Sequence, residues 1–293
     1  RGLVGSEMCI RDSNNVGFYI PGGTAPLFST VLMLGIPSLI AKCSNRILCS
    51  PPNKNLEISP EILYACKVCG IKDVFMVGGA QAIAAMTFGT ESIPKVDKIF
   101  GPGNQYVTEA KQYSMNFGIS IDMPAGPSEL LILADNSANP KYVAADLLSQ
   151  AEHGIDSQVI LVSNSKNLID QVNKELNIQK NSLSRLKIIN KSLENSKSIF
   201  FELIDDAIDF INEYAPEHYI INVENEEYCI SNLSSAGSVF IGNYTPESAG
   251  DYASGTNHTL PTNGYAKQYS GVNTDSFFKT ITFQKITKRG LNS

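Results

Sequence analysis

Only three histidines occur in the chain, and each sits inside a polar motif. His153 lies in Ser149-Gln150-Ala151-Glu152-His153-Gly154 and His218 in Ala215-Pro216-Glu217-His218. His258 closes Gly250-Asp251-Tyr252-Ala253-Ser254-Gly255-Thr256-Asn257-His258. Histidine is the side chain suited to proton transfer and metal ligation near neutral pH. Singly, each reads as an ordinary surface or core histidine. All three beside Gln, Glu or Asp point instead to one polar site.

Gln150 and His153 are i, i+3 neighbours at the end of an expected helix over 140–153. Their side chains therefore share a face and can grip one metal ion, although glutamine is an unusual zinc ligand. Asp251 and His258 fall on a Gly/Ser-rich stretch from Glu247, a loop by composition and a natural site wall. Glu217-His218 precedes the apolar run Tyr219-Ile220-Ile221, where a Glu–His pair can supply two bases of different strength. Neighbours on an extended segment point to opposite faces unless a turn redirects one.

Three glycine-rich turns offer a second kind of chemistry: Pro21-Gly22-Gly23-Thr24-Ala25-Pro26, Gly78-Gly79-Ala80-Gln81 and Gly101-Pro102-Gly103-Asn104. Each follows an apolar run and opens a helical pattern, a geometry that aims unpaired N–H groups and a helix dipole at an anion such as phosphate. None matches GxGxxG, so the standard dinucleotide fingerprint is absent.

These residues need a scaffold, and the chain supplies alternating strand and helix patterns. The expected strands are Val16–Ile20, Ile47–Cys49, Val74–Val77, Lys98–Phe100, Ile119–Ile121, Leu130–Leu133, Val159–Val162, Tyr219–Ile221 and Ser238–Ile241. One helix starts at Ser59-Pro60-Glu61, with Ser as N-cap and Pro at the first helical position. Another runs from Asn139-Pro140 to Gly154 in the C′ role, with Val143, Leu147 and Ala151 as its apolar stripe. Strand–helix alternation implies an α/β fold on mostly parallel sheets.

The stiff turn Pro124-Ala125-Gly126-Pro127 divides the chain into blocks over 14–125 and 126–260, with 261–293 as a further C-terminal segment. Lys166–Ser196 is polar and suits the exterior of the second block. Residues 1–13 show no clean period and resemble translated adapter sequence, so the fold is expected to begin near Asn14.

The net charge of −6 argues against nucleic acid or an anionic membrane as the main partner. No apolar run reaches the ~18 residues that a span requires. Six cysteines are too few for a disulfide framework at this length, which favours a reducing, cytoplasmic setting. Cys66-x-x-Cys69 lies on the helix from Pro60 and has no second CxxC, so it reads as core rather than ligand.

Several motifs together resemble the histidinol dehydrogenase family, over nearly the whole chain from about residue 16. They are Val16-Gly-Phe-Tyr-Ile-Pro-Gly-Gly-Thr-Ala-Pro, Phe100-Gly-Pro-Gly-Asn, Ile121-Asp-Met-Pro-Ala-Gly-Pro-Ser-Glu, Ser149-Gln-Ala-Glu-His-Gly, Ala215-Pro-Glu-His and Pro246-Glu-Ser-Ala-Gly-Asp-Tyr-Ala-Ser-Gly-Thr-Asn-His. The resemblance implies two Rossmann-like α/β domains with incomplete nucleotide-binding topology, in an intertwined homodimer. It also implies NAD- and zinc-dependent oxidation of L-histidinol to L-histidine through the aldehyde, in two hydride transfers.

By matching positions, Gln150, His153 and Asp251 would hold zinc, and Tyr19, Gln81 and Asn104 would contact NAD. Glu217 and His218 would be the bases, His218 for the alcohol and Glu217 for the water that hydrates the aldehyde. Ser128, Glu247 and His258 would contact substrate, with Gln150, His153, His218 and Asp251. The family's N-terminal part and C-terminal helices have no match here. Those helices carry a substrate-contacting glutamate and a zinc-ligating histidine, which implies that this polypeptide alone is inactive or nearly so. Two other classes fit the residues without the resemblance: a two-lobed α/β protein that binds a small ligand or metal without turnover, and a metal-dependent hydrolase.

Overall fold

The computed structural model describes residues 3–22, 27–124 and 126–288. Residues 23–26 of the first glycine turn, and Ala125 of the expected boundary, lie outside the described residues. The chain forms two compact units. The first runs to Asp122 and resumes at Val272; the second spans Met123–Gly271. The division thus falls just before the expected one, and the segment after residue 260 is shared between the units.

Among the described residues, the first unit contains β1 (Leu3–Asp12), β2 (Asn15–Tyr19), α1 (Phe28–Ile40), β3 (Asn45–Cys49), α2 (Pro60–Cys69) and β4 (Asp73–Phe75). It continues with α3 (Gly79–Phe88), β5 (Lys98–Phe100), α4 (Gln105–Ser114) and β6 (Ser120–Ile121). The second unit contains β7 (Glu129–Ala134), α5 (Pro140–Ala151), β8 (Gln158–Ser163), α6 (Lys166–Gln179), α7 (Leu186–Glu194), β9 (Lys197–Phe200) and α8 (Ile204–Tyr214). It ends with β10 (His218–Asn222), α9 (Glu226–Ser231), β11 (Ser238–Ile241) and α10 (Glu247–Tyr252). A last strand, β12 (Phe278–Ile286), belongs to the first unit.

The two large sheets are all-parallel, with orders β4-β3-β2-β5-β6 and β11-β10-β7-β8-β9. Both follow one rule. The chain lays three strands outward in one direction, then crosses back and places two on the other side of the first. The order reverses between β2 and β5 in one unit and between β7 and β10 in the other. Neither sheet has the sixth strand of a full dinucleotide fold among the described residues.

The continuous apolar run of β7 is buried at every position, as a central parallel strand covered on both faces must be. Leu130 and Ile132 pack on one side with Val143, Leu147, Leu168, Val172 and Ile189. Leu131 and Leu133 pack on the other with Ala207, Ile208, Ile211 and Cys229. This is the two-residue alternation of a strand sandwiched between helical layers.

Some expectations need correction. Residues 3–12, expected to lie outside the fold, form β1, which pairs antiparallel with β12. Main-chain pairing needs a partner strand rather than an apolar period. The edge strand β9 has no expected counterpart, because it is only four residues long and three of them are exposed. Helix α5 ends at Ala151 with Glu152 as a right-handed C-cap, so Gly154 does not occupy C′. On α2, Gly70 ends the helix at φ +67° as a left-handed residue. Cys66 and Cys69 are buried on that helix.

Candidate active site

In the first unit, the residues expected to meet a cofactor gather at the carboxyl ends of the strands. Tyr19 ends β2 and is buried, and its hydroxyl accepts a hydrogen bond from the Gly79 N–H at 3.0 Å. Gly79 opens α3, and Gln81 is exposed in that helix's first turn. Asn104 caps α4, its Oδ1 accepting from the Tyr106 and Val107 N–H groups, each at 3.1 Å. The cap occupies that oxygen, leaving the amide N–H₂ as the group that can reach outward. Tyr19 and Asn104 flank the order reversal between β2 and β5, the place where open parallel sheets bind ligands.

The second unit builds its polar cluster at the opposite, amino edge of its sheet. Glu129 is the first residue of β7, and His218 is the first of the adjacent β10, in register with Leu130. Helix α5 runs back along the sheet and delivers Gln150 to the same edge. His153 stands just past the helix end, its N–H donating to the Gln150 carbonyl at 3.2 Å. The spacing predicts that both residues lie in the helix's last turn; instead the helix ends at Ala151 and a short turn carries His153.

The Glu217–His218 pair owes its shape to the preceding turn. Ala215 caps α8 at φ +53°, an uncommon conformation for a residue with a Cβ. Gly237 and Ser238 then bind the Pro216 and Glu217 carbonyls, each at 2.9 Å. The turn brings both side chains to one side: His218 Nδ1 lies 3.5 Å from Glu217 Oε2. Both residues are 6% exposed, which is deep burial for two ionisable groups. Glu217 Oε2 also accepts the Glu129 N–H at 2.8 Å. His218 Nε2 lies 3.8 Å from Glu247 Oε1, and its ring packs against Phe240. Burial alone would lower the His218 pKa. The Glu217 hydrogen bond and charge, with the Glu247 charge and the Glu129 carbonyl, outweigh it and raise it to about 9.

Two acids in this cluster were not singled out from the sequence. Glu129 binds the Asn263 N–H through Oε1 at 2.9 Å, and burial, aided by the Glu217 charge, raises its pKa to about 7. Asp146, on α5, accepts the Glu247 N–H at 3.3 Å and is raised by burial to about 6. The available signals were a carboxylate opening an apolar strand and another interrupting the apolar stripe of α5. Glu247 itself is raised to about 6 by burial, despite His218 and a 3.3 Å hydrogen bond from Ser149 Oγ.

Asp251 lies on α10 rather than in the loop that its composition suggests. Gly250 is there for packing: a Cβ would sit 2.8 Å from the Phe240 ring. His153 keeps an exposed face, yet its surroundings desolvate the ring and lower its pKa, against the raising pull of Asp251 and then Glu217. Ser128 and His258 are each half-buried; Ser128 directly precedes Glu129, and its carbonyl accepts the Gln158 N–H at 3.0 Å.

Gln150 is 0% exposed, and neither its Oε1 nor its Nε2 has a hydrogen-bond partner. An unpartnered buried amide costs a few kcal/mol and calls for an explanation. No group of three His, Cys, Asp or Glu suited to a metal is formed among the described residues. By donor type alone, the expected set of Gln150, His153 and Asp251 would offer the mixed N and O atoms that suit a divalent ion.

The sequence model of the histidinol dehydrogenase family matches residues 5–293. A histidinol dehydrogenase of Bacteroides thetaiotaomicron is 60% identical over 276 residues, 94% of this chain and 64% of the relative. The chain thus spans just under two thirds of that relative's length. The crystal structure of histidinol dehydrogenase from Elizabethkingia anophelis is 58% identical with a TM-score of 0.94, covering 98% of this chain and 66% of that one. An NAD-dependent aldehyde dehydrogenase from Sinorhizobium meliloti is 13% identical with a TM-score of 0.63, over 97% of this chain and 69% of that one. That last likeness shows the fold alone. With the first two matches and the family model in agreement over almost every residue, the chain belongs to the histidinol dehydrogenase family.

Proposed function

We propose that this chain forms most of an enzyme that oxidises L-histidinol to L-histidine through L-histidinaldehyde, with NAD and zinc, at the end of histidine biosynthesis. The observation that carries the reading is the buried Glu217–His218 pair in the same unit as the unpartnered Gln150 amide. Gln150, His153 and Asp251 would hold zinc, and Tyr19, Gln81 and Asn104 would contact NAD. Ser128, Glu247 and His258 would join Gln150, His153, His218 and Asp251 around the substrate. When bound, zinc supplies a fixed charge that anchors the substrate's imidazole and amine, and NAD supplies the hydride acceptor.

The chain's own residues handle the protons. The Glu129 carbonyl occupies His218 Nδ1, so Nε2 is the nitrogen that takes the alcohol proton in the first oxidation. Because its surroundings favour the charged ring, His218 becomes an available base as the pH approaches about 9. Glu217 takes a proton from the water that hydrates the aldehyde, and the Glu129 N–H steadies its carboxylate.

The same reading makes the full protein a cytoplasmic homodimer. Its support is family membership, together with exposed Phe28, Tyr64 and Val68 around an apolar groove of about 500 Å³ between α1 and α2. No helix among the described residues is long and apolar enough to cross a membrane.

The test is a version extended at both ends with family sequence, given histidinol and NAD. NADH formation with bound zinc is expected. Binding without NADH would favour the non-turnover reading, and zinc-dependent hydrolysis without NADH the hydrolase.

A further inference from the structure

The first unit contains a buried ion pair whose partners are not among the expected cofactor contacts. Lys111, on α4, places Nζ 2.5 Å from Asp122 Oδ1, and the two side chains are 2% and 1% exposed. Nζ also donates to the Gly101 carbonyl at 2.7 Å. The Gly101 N–H in turn donates to Asp122 Oδ2 at 2.7 Å. The peptide groups on both sides of Gly101 are therefore held, one by the ammonium and the other by the carboxylate.

Gly101 is a residue that needs holding. Its φ is +121°, a region open essentially to glycine. A Cβ there would lie 2.0 Å from the Tyr19 carbonyl oxygen. The turn thus presses directly against the end of β2, at the order reversal of the sheet. Burying a lysine and an aspartate costs desolvation that their mutual attraction seldom exceeds, so stability is a weak reason for the pair. What the pair does is fix the turn from Gly101 to Asn104 beside Tyr19.

We propose that Lys111 and Asp122 are positioning residues for dinucleotide binding, pinning the 101–104 turn so that Tyr19 and Asn104 keep one fixed arrangement. The proposal rests on the dinucleotide reading above. Neither residue touches the ligand; both act through Gly101. A released turn still folds, but its ordering must then be supplied when the ligand binds, which weakens affinity. The expected loss is in cofactor affinity rather than in folding.

The experiment titrates NADH into the 293-residue chain by fluorescence and records thermal unfolding and zinc content in parallel. The key variant is the double substitution Lys111→Met with Asp122→Asn, which removes both charges together and keeps an acceptor for the Gly101 N–H. It should unfold within a few degrees of the wild type, keep its zinc, and bind NADH at least about tenfold more weakly. A role in stability alone predicts the reverse: a lower unfolding temperature with unchanged NADH affinity in the folded protein. If the double variant does not fold, Lys111→Met alone, which frees the Gly101 carbonyl, must show the same selective loss of NADH affinity in the folded protein. Wild-type binding with unaltered affinity in a folded variant overturns the positioning role alone. A wild type that does not bind NADH overturns the dinucleotide reading and this proposal with it.

Discussion

His218 and Glu129 are joined ring to main chain, with Nδ1 3.2 Å from the Glu129 carbonyl oxygen. A carbonyl only accepts, so this contact assigns the proton to Nδ1 and leaves Nε2 for chemistry. The same residue's N–H holds Glu217. One residue at the start of a central strand therefore seats both proposed bases, and the rigidity of the sheet passes directly to the site.

The pKa shifts around that contact make the metal-free chain lose stability as the pH rises. Glu129 is raised from its ordinary value to about 7 by burial, with help from the Glu217 charge. Its contribution is complete below pH ~4.5 and is lost as the pH rises through about 7. His218 is also raised, to about 9, so its contribution is complete below pH ~6.5 and fades through about 9. Each window can show a slope of up to ~1.4 kcal/mol per pH unit. Denaturant unfolding across pH should show Glu129→Gln flattening the lower window and His218→Asn the upper. Slopes unchanged by both substitutions would contradict the assigned protonation.

Gln150 should behave as a residue that costs stability until metal arrives. Gln150→Met keeps the length of the side chain and removes the two unpartnered buried atoms. Without metal, the variant should be more stable than the wild type by about 1–3 kcal/mol. Added zinc should stabilise the wild type and leave the variant unmoved. A variant less stable than the wild type in chelator, or stabilised equally by zinc, would rule out the ligand role.

Gly250→Ala tests whether α10 positions Asp251. The added methyl meets the Phe240 ring at 2.8 Å, so α10 must shift, at a cost of about 1–3 kcal/mol. Zinc affinity should fall together with stability. Weaker folding with full zinc affinity would show that Asp251 is not held through this helix.

The parts of this structure that were legible beforehand are those governed by burial. Leu130–Leu133 and Val159–Val162 are unbroken apolar runs because central parallel strands are covered on both faces, and such runs identify themselves. Ser59-Pro60 marked the start of α2 because helix ends impose local backbone demands, whereas its end at Gly70 is seen only in the structure. Strand β9 was not legible, since a four-residue edge strand with Ile199 as its one half-buried residue is too short to show a burial period. Helix α10 was hidden because Gly250 reads as a loop residue when its reason is the Phe240 ring. The seating of Glu217 and His218 by Glu129 could not be read at all. It is made by main-chain atoms of a residue 88 and 89 positions away, and main-chain atoms carry no sequence signal.

The central claim is that Glu217 and His218 divide the proton chemistry of two successive oxidations. It is tested most directly by comparing rates on L-histidinol and L-histidinaldehyde in a full-length version carrying His218→Asn or Glu217→Gln. His218→Asn should slow histidinol oxidation by about 10²–10⁴-fold and the aldehyde much less. Glu217→Gln should do the opposite, because hydration precedes only the second hydride transfer. Equal losses on both substrates in both variants would contradict the account.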